Sequence, residues 1–312
     1  MPIAFIFPGQ GSQYAGMGKD LVQNCPAAQK VFEEADDALR FSISSLCFEG
    51  SAEELQLTEN TQPAILTVSI AALRAIEAEG GSRPDYVAGH SLGEYSALVA
   101  AGALSLADAL RTVRARGRYM QEAVAVGSGA MAAVMGVALK DIERVCSEAS
   151  KGQICGPANI NAPNQVVIAG NTEAIERASL LLKSIGARRV VRLGVSAPFH
   201  CSLMMPAQER LAFDLEEVDF GDLRVPLVSN VDAIEISKAT EARDSLVRQV
   251  SRPVRWLESI ELLIRNGVDT FVEVGPGRVL SGLMRKISRE VKCFNVEDSV
   301  SLKQTLANLE VS

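Results

Sequence analysis

The sequence predicts an α/β protein in which a large domain built on a mostly parallel sheet is interrupted by a smaller βαββαβ module. Three observations carry that expectation. Short apolar runs alternate with helical stretches at both ends of the chain. A strand, a sharp turn and a helix follow one another around Gly89-His90-Ser91-Leu92-Gly93. Between about 124 and 195 the rhythm changes to closely spaced strands. The 312 residues predict about two structural units. A hydrophobic content of 47%, a charged content of 22% and no low-complexity tract place the chain among ordered globular proteins.

In chain order, Ile3-Ala4-Phe5-Ile6-Phe7 reads as a buried strand that stops at Pro8-Gly9. Helices are expected to dominate 15–122, with capping-box starts at Ser51 (Ser51-Ala52-Glu53-Glu54) and Ser105 (Ser105-Leu106-Ala107-Asp108). A second buried strand at Tyr86-Val87-Ala88 follows the Gly80-Gly81-Ser82-Arg83-Pro84 break and precedes a small apolar helix beginning near Glu94. Gly127-Ser128-Gly129 suits a hinge into the module, where strands are expected at 130–137, 154–161, 165–170 and 189–195, and helices at 140–150 and 172–185. That order is the ferredoxin-like split unit. Strand candidates at 226–229, 270–274 and 293–295 then resume the α/β pattern. The large domain is therefore read as discontinuous, 1–123 and 196–312, with 124–195 inserted.

Several function classes are disfavoured. Met1-Pro2-Ile3-Ala4-Phe5 lacks a basic leader, and no apolar run approaches the ~18 residues of a membrane span, so a cytoplasmic protein is expected. Six scattered cysteines without a CxxC pair read as reduced, mostly buried thiols. A net charge of −7 argues against a nucleic-acid partner. Gly9-Gln10-Gly11 fails as a dinucleotide fingerprint at Tyr14, and as a P-loop at Gln13 and Asp20. Gly275-Pro276-Gly277 has Leu280 in place of a third glycine and reads as a tight strand-to-helix turn. With two histidines and no paired carboxylate–histidine motif, no metal site is expected.

Gly89-His90-Ser91-Leu92-Gly93 matches the G-x-S-x-G nucleophile elbow. A strand turning directly into a helix exposes the Ser91 hydroxyl at the helix N-terminus, where the macrodipole favours developing negative charge and the Leu92 amide can face an oxyanion. A serine nucleophile needs a proton acceptor, and the chain offers only His90 and His200. On so sharp a turn His90 points away from its neighbour and is read as packing beneath it. His200, in Ser196-Ala197-Pro198-Phe199-His200-Cys201 at the exit of the module, is the expected base. On a helical wheel Leu106, Ala109, Leu110, Val113, Gly117 and Met120 share one face, with Arg111, Arg114 and Arg118 opposite as solvated charges, while Arg116 falls at the apolar edge. A buried guanidinium needs an anionic partner: either an internal acid such as Glu94, or a substrate carboxylate held by its planar fork.

With these residues in place, the sequence resembles the malonyl-CoA:acyl carrier protein transacylases of fatty acid synthesis and the acyltransferase domains of polyketide synthases over nearly its whole length. The likeness rests on Phe7-Pro8-Gly9-Gln10-Gly11-Ser12-Gln13, Gly89-His90-Ser91-Leu92-Gly93-Glu94, and Arg116 in Arg114-Ala115-Arg116-Gly117. It extends to Asn159-Ile160-Asn161-Ala162-Pro163, Pro198-Phe199-His200, Gln249 ahead of Pro253-Val254, and Glu273-Val274-Gly275-Pro276-Gly277. The large domain is then read as α/β-hydrolase-like, with the active site in the cleft beside the ferredoxin-like module. The resemblance implies Ser91 as nucleophile, His200 as base oriented by the main-chain carbonyl of Gln249, and the backbone amides of Gln10 and Leu92 as oxyanion hole. It further implies Arg116 as clamp for the malonyl carboxylate. Phe199 and Asn159 are candidate substrate-binding residues, and Phe199, beside His200, is expected to crowd branched acyl groups at the carbon bearing that carboxylate. Malonyl-CoA and holo-acyl carrier protein are the implied substrates of a monomeric enzyme needing no bound cofactor. Two basic clusters, Lys183, Arg188, Arg189 and Arg192, and Arg285, Lys286, Arg289 and Lys292, are available to an acidic carrier protein. A serine esterase or thioesterase, and a non-catalytic carrier-docking subunit, are the rival readings.

Overall fold

Strand β1 (Ile3–Phe7) lies inside a six-stranded sheet in the computed structural model, which describes residues 2–195 and 197–310. Ser196, Met1, Val311 and Ser312, which the expected domain bounds include, lie outside the described residues. The remaining strands are β2 (Tyr86–Gly89), β3 (Gly129–Met135), β4 (Cys155–Ala162), β5 (Gln165–Asn171), β6 (Arg189–Arg192), β7 (Leu227–Val228), β8 (Glu235–Ile236), β9 (Thr270–Val274) and β10 (Lys292–Val296).

The large sheet runs β10-β9-β1-β2-β7-β8, parallel throughout except for the β7–β8 pair. Both faces of β1 are covered, as in parallel sheets generally. Phe5 and Phe7 join the main core with the long buried helix Thr58–Ala78, while Ala4 and Ile6 point the other way into a second core around Trp256 and Phe271. The step from β2 to β7 skips four intervening strands, which form their own sheet.

That second sheet, β4-β5-β3-β6, is antiparallel at every pairing. With helices Leu139–Ser150 and Thr172–Ser184 it gives the βαββαβ order and strand arrangement of a ferredoxin-like unit. Val134, Ile168, Ile142, Val145 and Leu182 build a private core between sheet and helices. Met131, Val167 and Ala169, on the opposite face, join the core of the large sheet, and an isolated bridge pairs Asn159 with Val254. The module is thus seated on the large domain by its bare sheet face.

Some bounds differ from the sequence expectation, each for a local reason. The first module strand stops at Met135 because Gly136 turns the chain at φ +88°. The last stops at Arg192, after which Leu193 keeps one bond to Met131 O before the chain leaves the sheet. The strand expected at 226–229 is only Leu227–Val228, and the two-residue β8 is too short to leave a periodic signal. Ser51 and Glu54 form the full capping box. Ser105 Oγ accepts from the Asp108 N–H, but the shorter Asp108 carboxylate takes the Ser105 hydroxyl instead of its backbone N–H. No helix among the described residues is long and apolar enough to cross a membrane.

The elbow is held by contact between glycines. A Cβ on Gly89 would lie 1.9 Å from the Gly93 carbonyl carbon, and one on Gly93 would lie 2.1 Å from Phe7 O. These are backbone atoms, so no side chain can swing aside. Gly93→Ala is therefore expected to destabilise the protein by at least about 1–3 kcal/mol, the usual cost of overpacking. A urea midpoint equal to that of the parent would contradict the packing described.

Candidate active site

Strand β2 ends at Gly89 and the helix Gly93–Ala100 starts four residues later, leaving His90, Ser91 and Leu92 to make the turn. Ser91 adopts φ +52°, a left-handed conformation costing a non-glycine residue about 1–3 kcal/mol. Hydrogen bonds on both sides hold it there. Its N–H donates to Asn230 Oδ1 at 2.6 Å, and its carbonyl accepts from Glu94 N–H at 3.0 Å and Gln249 Nε2 at 3.0 Å. Asn230 Nδ2 donates to Gly89 O at 2.6 Å, so a single side-chain amide spans the turn.

Ser91 Oγ sits 2.7 Å from His200 Nε2. His200 is itself left-handed, at φ +59°, and 3% exposed. Its Nδ1 lies 2.9 Å from the main-chain oxygen of Gln249. A carbonyl only accepts, so Nδ1 carries the hydrogen and Nε2 presents a lone pair to the serine. Burial, then the positive charge of Arg116, pushes the imidazole down to about 3. The ring is therefore neutral and ready to accept a proton across the whole neutral range.

Arg116, in the middle of helix Leu106–Glu122, is 2% exposed. Nη1 donates to Gln62 Oε1 at 2.7 Å; Nη2 donates to Gln249 Oε1 at 2.8 Å and to Ser91 Oγ at 3.1 Å; Nε has no partner among the described residues. Of the two partners the sequence left open, Glu94 is not in direct contact: among the described residues Arg116 forms no ion pair and is met by neutral amides. Arg111 and Arg118 on the same helix are exposed as expected. Arg114 is not simply solvated; it is half-buried and stacked 4.1 Å over the Phe41 ring.

Ser91, His200, Arg116, Gln10, Asn159 and Phe199 line one cavity of about 110 Å³, room for a short acyl group. Met131, Leu193 and Val195 from the inserted module complete its wall with Gln62, His90 and Met120. Gln249 and Leu92 stand outside the lining and bear on it through the Gln249 carbonyl and the Leu92 backbone. The N–H groups of Gln10 and Leu92 donate to no acceptor among the described residues, which leaves both able to donate to a negatively charged oxygen. His90 turns away from Ser91 Oγ: its Nε2 lies 2.8 Å from Asn161 Oδ1 and its ring centroid 5.5 Å from that of Trp256.

Two contributors escaped the sequence reading. Gln62 is one of several buried polar residues on helix Thr58–Ala78, and Asn230 follows a strand end of the large sheet, where open α/β sheets place their sites. Both signals were available and weak.

A family model described as an acyl transferase domain matches residues 4–308. The chain belongs to the acyl transferase family. Among similar members, the malonyl CoA-acyl carrier protein transacylase of Bacillus subtilis (strain 168) is 50% identical over 309 residues, 99% of this chain and 97% of the relative. The solved structure of the malonyl CoA-acyl carrier protein transacylase from Coxiella burnetii superposes with a TM-score of 0.97 at 42% identity, covering 99% of this chain and 98% of the other. A malonyl-transacylase solved in complex with a type II PKS acyl-carrier protein gives a TM-score of 0.97 at 46% identity, covering 99% of this chain and 100% of that one. The acyl transferase fold thus accounts for both sheets, including the inserted module.

NMR titration of the His200 side chain tests the electrostatics. No protonation is expected through the ordinary histidine range around pH 6.5, because the folded value is depressed and proton uptake waits until the pH nears about 3. Arg116→Ala should move the midpoint upward by removing a repelling charge. A wild-type midpoint near 6.5 would overturn the burial and charge assignment.

Proposed function

We infer that this acyl transferase moves the malonyl group from malonyl-CoA to the phosphopantetheine thiol of acyl carrier protein through a malonyl ester on Ser91, supplying malonyl carrier protein for fatty acid synthesis. The observation that carries the reading is Arg116: a buried guanidinium, unpaired by any carboxylate among the described residues, 3.1 Å from the serine oxygen. An acyl group ending in a carboxylate supplies the missing anion.

In this reading His200 Nε2 takes the hydroxyl proton as Ser91 Oγ attacks the thioester carbonyl. The tetrahedral oxyanion faces the Gln10 and Leu92 amides. Collapse breaks the carbon–sulfur bond, and His200 returns the proton to the departing thiolate of coenzyme A. The carrier thiol then gives its proton to His200, attacks the ester, and regenerates Ser91. Exchange between thioesters is nearly isoenergetic, so no bound cofactor is required. The enzyme would work as a monomer in the cytoplasm, with Phe199 and Asn159 in contact with the acyl group.

Intact-protein mass spectrometry after mixing with malonyl-CoA, then with holo-carrier protein, tests the function. A malonyl adduct should form, pass to the carrier and be absent in Ser91→Ala; His200→Ala should slow its formation by ~10²–10⁴. Water replacing the carrier thiol as acceptor would favour a thioesterase. Arg116→Ala should cost malonyl transfer about 2–5 kcal/mol, the price of leaving a buried carboxylate unpaired. Acetyl transfer should hold steady or rise, because acetyl has no carboxylate to strand. Equal losses for both acyl groups in a folded variant would remove the main support for malonyl specificity.

Carrier docking falls to the two basic clusters. Arg192 is partly committed to Glu176 at 3.1 Å, while Lys286 reaches Gln165 of the module at 2.6 Å, bringing the second cluster against the insertion. Charge reversal at Arg188, Arg189, Arg285 and Arg289 should lower transfer to carrier protein about 10-fold or more at low salt, with acylation by malonyl-CoA unchanged. Undiminished transfer would place docking elsewhere.

A further inference from the structure

Behind the cavity lies a buried acid that the transfer chemistry leaves unused. Glu94, in the first turn of the elbow helix, is fully buried, as are Gln249 and Asn230. Its Oε1 accepts from Ser245 Oγ at 2.9 Å; its Oε2 accepts from Gln249 Nε2 at 2.7 Å and from the Asn230 N–H at 3.2 Å. Ser245 and Gln249 are four residues apart on helix Ala239–Gln249, so one helical face supplies two of the three donors. Burial pushes the Glu94 carboxyl up to about 7, while these donors and the charge of Arg116 work against that shift. The Gln249 amide and the Asn230 N–H can only donate, and with the Ser245 hydroxyl they supply three donors to a carboxylate.

The Gln249 carboxamide lies between this acid and the guanidinium. Its nitrogen donates to Glu94 and to Ser91 O, and its oxygen accepts from Arg116 Nη2. The opposite rotamer would set oxygen against carboxylate and N–H against guanidinium, two repulsive contacts in a space that excludes water. We propose that Glu94 is a positioning residue: it fixes the sense of the Gln249 carboxamide, and thereby aims the Arg116 guanidinium at the carboxylate of the acyl group. Arg116 and Glu94 are thus joined through an amide that cannot turn round. A direct ion pair would have occupied the fork that the substrate needs. The inference rests on the malonyl reading above.

Single-turnover acylation of Ser91 by malonyl-CoA and by acetyl-CoA, quenched and read by intact mass, tests it in Glu94→Ala, Gln249→Ala and the double variant. Glu94→Ala should slow malonyl acylation on the order of 10²-fold, as misplacement of a substrate-binding group does, and acetyl acylation far less. The malonyl-to-acetyl ratio is the readout that a merely structural role would leave unmoved. If Glu94 acts through Gln249, the double variant should be no slower with malonyl-CoA than Gln249→Ala alone. Equal slowing of both acyl groups, or losses that add in the double variant, would overturn the proposal. If Glu94→Ala does not fold, Glu94→Asp gives the same test by withdrawing the carboxylate one methylene from Gln249. Absence of any malonyl adduct on the parent protein would instead defeat the functional reading.

Discussion

Arg116 carries a permanent charge into a space where 2% of its surface meets solvent, and the neighbouring residues are arranged as that burial requires. Desolvating a guanidinium costs several kcal/mol unless its hydrogens find acceptors. Gln62, Gln249 and Ser91 provide them for the two terminal nitrogens without neutralising the charge. The uncompensated charge then acts on its surroundings. Second to burial, it keeps a proton off His200, and it leaves the cavity attractive to an anion. The nearest acid, Glu94, is held one amide away. Much of the site can be read as the consequence of keeping that charge buried and unspent.

The second organising feature is the division of labour between the two sheets. The large sheet supplies the elbow, and the helices packed on it supply Arg116, Gln62 and Gln249. The module supplies the apolar wall through Met131, Leu193 and Val195 and, at its exit, leads directly into His200. Because the face of the small sheet that meets the large domain belongs to the main core, the wall of the cavity and the stability of the domain contact are built from the same packing.

Legibility from the sequence followed the range of the interaction concerned. The elbow was readable because its glycines, serine and flanking elements are contiguous, and Arg116 because a helix repeats its faces every few residues. His200 was reachable only through scarcity, since it stands 109 residues from the serine it contacts. Asn230 and Gln62 had no such aid: each is an amide whose role exists only after folding brings it to Ser91 or Arg116. The same holds for the stacking of Arg114 on Phe41 and for the strand ends, where a left-handed glycine or a departure from the sheet decides what periodicity cannot. The role of Gln249 as hinge between charge and base was visible only in its main-chain half.

His200 takes its orientation from a main-chain oxygen. A backbone carbonyl is the one kind of acceptor that no codon change can delete, so the gene can vary residue 249 without losing the group that holds the imidazole in its tautomer. The side chain at the same position faces Arg116, Glu94 and the Ser91 carbonyl, so a change there falls on the acyl side of the site and spares the anchor of the imidazole. The group that fixes the imidazole is thereby uncoupled from the identity of the side chain beside it, a separation that an acidic side chain in the third place would not give.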